Sequence, residues 1–111
     1  FDRSRRADWR FVGSDFTLAH VAMRETIRSL TGPSTRVHLF GSRTDDHARG
    51  GDIDLLVEID QPVANPTLLG ARIGVRLQQA LGDRRIDVTV AGPNIHEQTI
   101  HRIARETGIE L

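Results

Sequence analysis

The sequence predicts a small α/β domain, and three observations carry that prediction. Apolar residues recur at helical steps of three and four in some segments, alternate with polar residues in shorter ones, and the two kinds interleave along the chain. A chain of 111 residues and 12.4 kDa has material for one hydrophobic core and rarely two. At this size binding sites are expected on loops and sheet edges more than in a deep cavity.

The elements follow in order. Residues 1–14, FDRSRRADWRFVGS, hold no sustained period and carry Arg3, Arg5, Arg6 and Arg10 against Asp2 and Asp8. They are expected to form an Arg-rich arm ahead of a domain over residues 15–111, either mobile or loosely docked or in contact with a partner, with Trp9 packed on the domain or stacked on a partner or base. Phe16, Ala19, Met23, Ile27 and Leu30 then place one apolar stripe on a helix, with Ser14 or Asp15 to cap its start and Gly32-Pro33 to end it. Val37 and Leu39 alternate with His38 and Phe40 in a short strand that Gly41-Ser42 breaks. In DIDLLVEI, Ile53, Leu55, Val57 and Ile59 share one strand face, and Asp52, Asp54, Leu56 and Glu58 share the other. Residues 60–66 read as a loop. Leu69, Ile73, Leu77 and Ala80 mark a second helix closed by Gly82. Residues 85–90 form a third strand with Ile86, Val88 and Val90 on one face and Asp87 and Thr89 on the other. Ile95, Thr99, Ile100, Ile103 and Ala104 give a last helix ending near Gly108. The order is helix, strand, strand, helix, strand, helix, with helices packed against a sheet of three strands or slightly more.

Composition removes several chemistries. Fifteen basic residues balance fifteen acidic ones, so strong nucleic-acid binding through an excess of positive charge is not expected. All the basic residues are Arg, which excludes a Schiff-base lysine and a Walker-type lysine. The absence of Cys excludes thiolate metal sites and thiol nucleophiles. Apolar runs are far too short to span a membrane and no signal peptide is visible, so a cytoplasmic protein is expected. The neutrality is uneven: residues 41–60 hold two Arg against six Asp or Glu.

That acidic stretch carries the chemistry. Asp52 and Asp54, two apart on a strand, point the same way from backbone positions roughly 6–7 Å apart. Asp87 also points away from the apolar face of its strand, so three carboxylates converge if the strands are neighbours. Close like charges resist joint ionisation, and hard divalent cations relieve them; all-oxygen ligation favours Mg²⁺ or Mn²⁺. Gly41-Ser42 opens the loop ahead of them, and a glycine followed by a hydroxyl donor suits a phosphate. The same residues also fit plainer roles: Ser42 as a helix cap with Asp45 at the third position, and Asp-x-Asp as a solvated, edge-protecting face. Arg43 and Arg49 are candidate phosphate contacts or surface charges. His96 and His101, five apart, do not share a helix face, and His38 and His47 lack partners at metal-binding spacing; surface or core-edge roles are expected for the latter two.

Gly41-Ser42, a short loop, Asp52-Ile53-Asp54 leading an apolar strand, and Asp87 in a later strand together resemble the nucleotidyltransferase superfamily of DNA polymerase beta. Within it, residues 16–111 look like the minimal nucleotidyltransferase (MNT) proteins of prokaryotes. That family is usually written with ten residues between the Ser and the first Asp; here nine separate Ser42 from Asp52, and every motif residue is kept. The resemblance implies the polymerase beta-like fold, a small mixed sheet with helices packed against it. It implies that Asp52, Asp54 and Asp87 hold two Mg²⁺ ions, that Asp87 also helps deprotonate an attacking hydroxyl, and that Gly41 and Ser42 meet the phosphates of ATP, with Arg43 beside them as the candidate contact named above.

A second domain to wall a small-molecule acceptor is not expected from these residues. The expected function is therefore transfer of AMP from ATP to a hydroxyl, a tyrosine by the family resemblance, on a HEPN-domain toxin for which this chain is the antitoxin. The chain has no Tyr of its own to modify. Two other readings remain at this level: a non-catalytic, nucleotide-binding antitoxin that blocks its partner by occlusion, and a small-molecule nucleotidyltransferase whose acceptor pocket is built by a homo-oligomer.

Overall fold

The computed structural model describes residues 13–40, 53–82 and 85–111, with side chains from residue 18 onward. Among these residues three helices and four strands follow one another as α1 (Gly13–Thr31), β1 (Arg36–Phe40), β2 (Ile53–Glu58), α2 (Pro66–Leu81), β3 (Ile86–Ala91), α3 (Thr99–Thr107) and β4 (Ile109–Glu110). The strands form one sheet in the order β3-β2-β1-β4. β1 pairs antiparallel with β2 and with β4, and β2 pairs parallel with β3. The parallel pair follows from the helix between its strands, because a strand that returns in the same direction needs a crossover.

One face of the sheet is the main core. Val37, Leu39, Ile53, Leu55 and Val57 meet Ala19, Met23 and Ile27 of α1 and Ile73, Leu77 and Leu81 of α2. Of the expected α1 stripe, Ala19, Met23 and Ile27 are buried and Leu30 packs against them, the Phe16 side chain lying outside the described ones; the helix opens at Gly13. In α2 the last buried position is Leu81, while Ala80 faces solvent. Four-residue steps from Ile73 to Leu77 to Leu81 keep the helix's larger side chains on the sheet. Asn65 caps α2, its Oδ1 accepting from Leu68 N at 3.1 Å, Pro66 occupies the first turn, and Gly82 ends it at φ +99°, a conformation that suits glycine.

The opposite face is covered by α3. Phe40, Leu56, Ala91 and Ala104 form a second, smaller apolar cluster there, which accounts for Leu56 standing between Asp54 and Glu58 on the polar side of its strand. Here the expected helix stripe is corrected. α3 starts at Thr99, leaving Ile95 before it, and buries His101 and Ala104, while Ile100 and Ile103 remain 40% and 44% exposed. His101 can enter the interior because its Nδ1 accepts from Gln98 N at 2.9 Å, closing the first turn.

The chain then adds β4, which has only two residues and no period to announce it. Gly108 makes the turn possible: a Cβ there would fall against the carbonyl oxygens of Ala104 and Leu39. Leu111 N donates to Val37 O at 2.8 Å, and Arg24 Nη1 on α1 donates to Leu111 O at 3.1 Å, so the sheet edge is tied to the first helix.

Candidate active site

The site lies where β2 and β3 begin. Ile53 N donates to Arg85 O at 2.9 Å, which sets the two strand starts side by side. The register that follows makes Asp54 and Asp87 partners, and partners in a parallel ladder present their side chains to the same face. Neighbouring strands stand about 4.8 Å apart, so the two carboxylates leave the sheet at that backbone spacing. Asp54 is half-buried and Asp87 is exposed. Phe40, the residue immediately before Gly41, is the antiparallel partner of Asp54. The expected facing of Asp54 and Asp87 is thus what the sheet provides. Asp52, Gly41, Ser42, Arg43, Arg49, His47 and Trp9 lie outside the described residues.

Two carboxylates on adjacent strands supply hard oxygen donors and little else, which fits a divalent cation of the Mg²⁺ class and not a soft transition metal. Among the described residues no group of three His, Asp or Glu side chains gathers for a metal, and Asp52 lies outside those residues. Beside Asp87 a cleft of about 530 Å³ runs between the edge of β3 and α2, lined by Thr67, Gly70, Gly74, Gln78 and Thr89. α3 crosses the same sheet face over Phe40, Leu56 and Ala91.

The far end of that face holds a charged network instead. Glu58, four residues beyond Asp54, meets His38 Nε2 at 2.7 Å through one oxygen and Arg105 of α3 through the other, with Arg36 at 3.7 Å. Arg105 also binds Glu97. Burial pushes the Glu58 carboxyl up, but hydrogen bonds from Arg105 and His38, together with their charge, outweigh it and hold the group below its ordinary value. His38 is buried here, inward of the expected surface or core-edge setting. The network fastens α3 to the sheet. Sequence inspection misses it because Glu58 and Arg105 are 47 residues apart.

Among the described residues no helix is long and apolar enough to cross a membrane. No curated protein matches the sequence significantly. A chain in a solved complex of tri-AMPylated Shewanella oneidensis HEPN toxin with MNT antitoxin is similar in fold, with a TM-score of 0.59 and 19% identity, over 85% of this chain and 69% of that one. The nucleotidyltransferase domain family matches residues 22–106, a span that runs from α1 through α3 and includes every expected carboxylate of the site. A sheet that sets Asp54 beside Asp87, reached by a sequence matched over most of its length, places this chain in the nucleotidyltransferase domain family.

Proposed function

We propose that this protein transfers AMP from ATP to a tyrosine hydroxyl of a HEPN-domain partner protein and thereby acts as the antitoxin of a HEPN/MNT pair in the cytoplasm. The observation that carries the reading is the register pair Asp54 and Asp87 at the start of two adjacent strands within a nucleotidyltransferase domain. The similar fold in the HEPN toxin–MNT antitoxin complex supports the partner class.

Asp54 and Asp87, with Asp52, are the residues to hold Mg²⁺, or Mn²⁺ in its place; when bound, such ions neutralise phosphate charge and lower the pKa of a coordinated hydroxyl. Gly41, Ser42 and Arg43 are assigned to the phosphates. Asp87, at the exposed sheet edge, takes the proton of the incoming hydroxyl. The hydroxyl oxygen bonds to the α-phosphorus of ATP as the bond to pyrophosphate breaks, and pyrophosphate leaves. Asp87 is exposed on β3, the edge strand of the sheet, which leaves a macromolecular acceptor room to approach.

Incubation with ATP, Mg²⁺ and the HEPN-domain protein encoded beside this chain should add the mass of one or more AMP groups to that partner. The increment should map to tyrosine and vanish in Asp54→Ala and Asp87→Ala variants. An unmodified partner, or equal labelling by those variants, overturns the enzymatic reading.

A further inference from the structure

Helix α2 carries an apolar ridge that the fold does not use. Leu68 and Val75, one heptad apart, are 51% and 54% exposed, and Ala71 lies between them at a spacing that keeps all three on one side. Hollows flank the ridge. Toward β3, Ala71 and Val75 border the cleft of about 530 Å³. Toward α1, a hollow of about 430 Å³ is bounded by Leu30, Arg72 and Arg76. Through Leu30 and Arg72 it continues into another of about 290 Å³ beside Pro62 and Val63. A ridge with a groove on each side is the relief that receives a second helix, whose own ridges enter the grooves.

Charge selects the occupant. The only charged residues of α2 are Arg72 and Arg76, and among the described residues neither enters an ion pair. Two copies of this chain meeting ridge to ridge would bring four guanidiniums together, and residues 1–10 of its own arm carry four Arg against two Asp. Both are repelled by the same charge that attracts an acidic surface. We infer that the α2 ridge docks an acidic amphipathic helix of the partner protein. Apolar side chains of that helix cover Leu68, Ala71 and Val75, and flanking carboxylates meet Arg72 and Arg76. The inference rests on the HEPN-partner reading above and adds to it the surface that holds the partner and the chemistry of the segment held.

The test uses the full chain, tagged and co-expressed with the HEPN-domain protein encoded beside it. Complex formation is read by co-purification and then by titration at low and high salt. Arg72→Glu/Arg76→Glu and Leu68→Asp/Val75→Asp are compared with a control pair on the opposite face, Ile100→Asp/Ile103→Asp. Both α2 variants should weaken the complex by about 100-fold or more, the control should bind as the wild type does, and added salt should weaken the wild-type complex. Thermal unfolding and Mg²⁺·ATP binding by the isolated chain should be unchanged in the Arg variant, whose side chains are on the surface. Should the Leu68/Val75 variant not fold, the Arg variant alone decides. A wild type that holds the partner while folded α2 variants hold it equally, or while the control loses it, overturns the docking surface and leaves the partner reading standing. A wild type that holds no partner overturns the partner reading and this inference with it.

Discussion

Asp54 and Asp87 are direct register partners on adjacent parallel strands, so two carboxylates of like charge stand side by side at the exposed start of a sheet. Opposed like charges on a sheet are unfavourable by roughly 0.2–1 kcal/mol, a cost that a folded domain keeps only where something offsets it. Asp87→Asn should therefore raise the thermal midpoint slightly in a chelator. Mg²⁺ should raise the midpoint of the wild type and leave that of the variant nearly still. Nucleotide transfer by the same variant should fall by about 10²–10⁴-fold. Paired melts with EDTA and Mg²⁺, run beside the transfer assay, check all three.

At the other end of the face, the Glu58 carboxyl is held below its ordinary pKa of 4.5 when folded. A depressed folded value means that the unfolded chain binds the proton more readily. The contribution is therefore full above the unfolded value and is lost as pH falls below about 4.5 through the lower folded value. Denaturation followed from pH 7 to pH 3 should show this loss in the wild type. Glu58→Gln should cost about 1–3 kcal/mol at pH 7 by leaving Arg105 and buried His38 short of an acceptor, and should flatten the acid limb. Its Mg²⁺ response should survive, because Glu58 is about 13 Å along the strand from Asp54.

The two sides of α3 give a sharp contrast in stability. Ile103→Ser, on the exposed side, should change unfolding free energy by no more than about 0.5 kcal/mol. Leu56→Ala, beneath the helix, should cost about 2–5 kcal/mol. Urea titration of both variants measures the difference directly.

A single methyl at the turn into β4 should also be felt. Gly108→Ala forces a Cβ against the carbonyl oxygens of Ala104 and Leu39. The expected cost is about 1–3 kcal/mol, with faster hydrogen exchange at Leu111 N, whose acceptor is Val37 O.

Sequence reading succeeded where a residue's setting is decided by its near neighbours. Ile53, Leu55 and Val57 alternate with Asp54 and Glu58, and that period of two turns the acids away from α1 and α2 whatever the rest of the chain does. The same rule turned Asp87, leaving only the adjacency of two strands to be supplied by the fold. It failed where a distant element decides. Ile100 and Ile103 look like the inward side of a helix, yet α3 meets the sheet through Ala104 and His101 because small Ala104 fits against Phe40 and Leu56. Nothing near Glu58 in sequence announces its partner Arg105, which arrives from the other end of the domain. β4 is visible only as the backbone bonds it makes to β1.

The ladder joining β2 to β3 has a further consequence. The spacing of Asp54 and Asp87 is held by backbone hydrogen bonds, so residues could be gained or lost between Ser42 and Asp52 without resetting it. A lengthened or shortened connection would leave the two carboxylates paired as they are, because the ladder and not the loop sets them side by side.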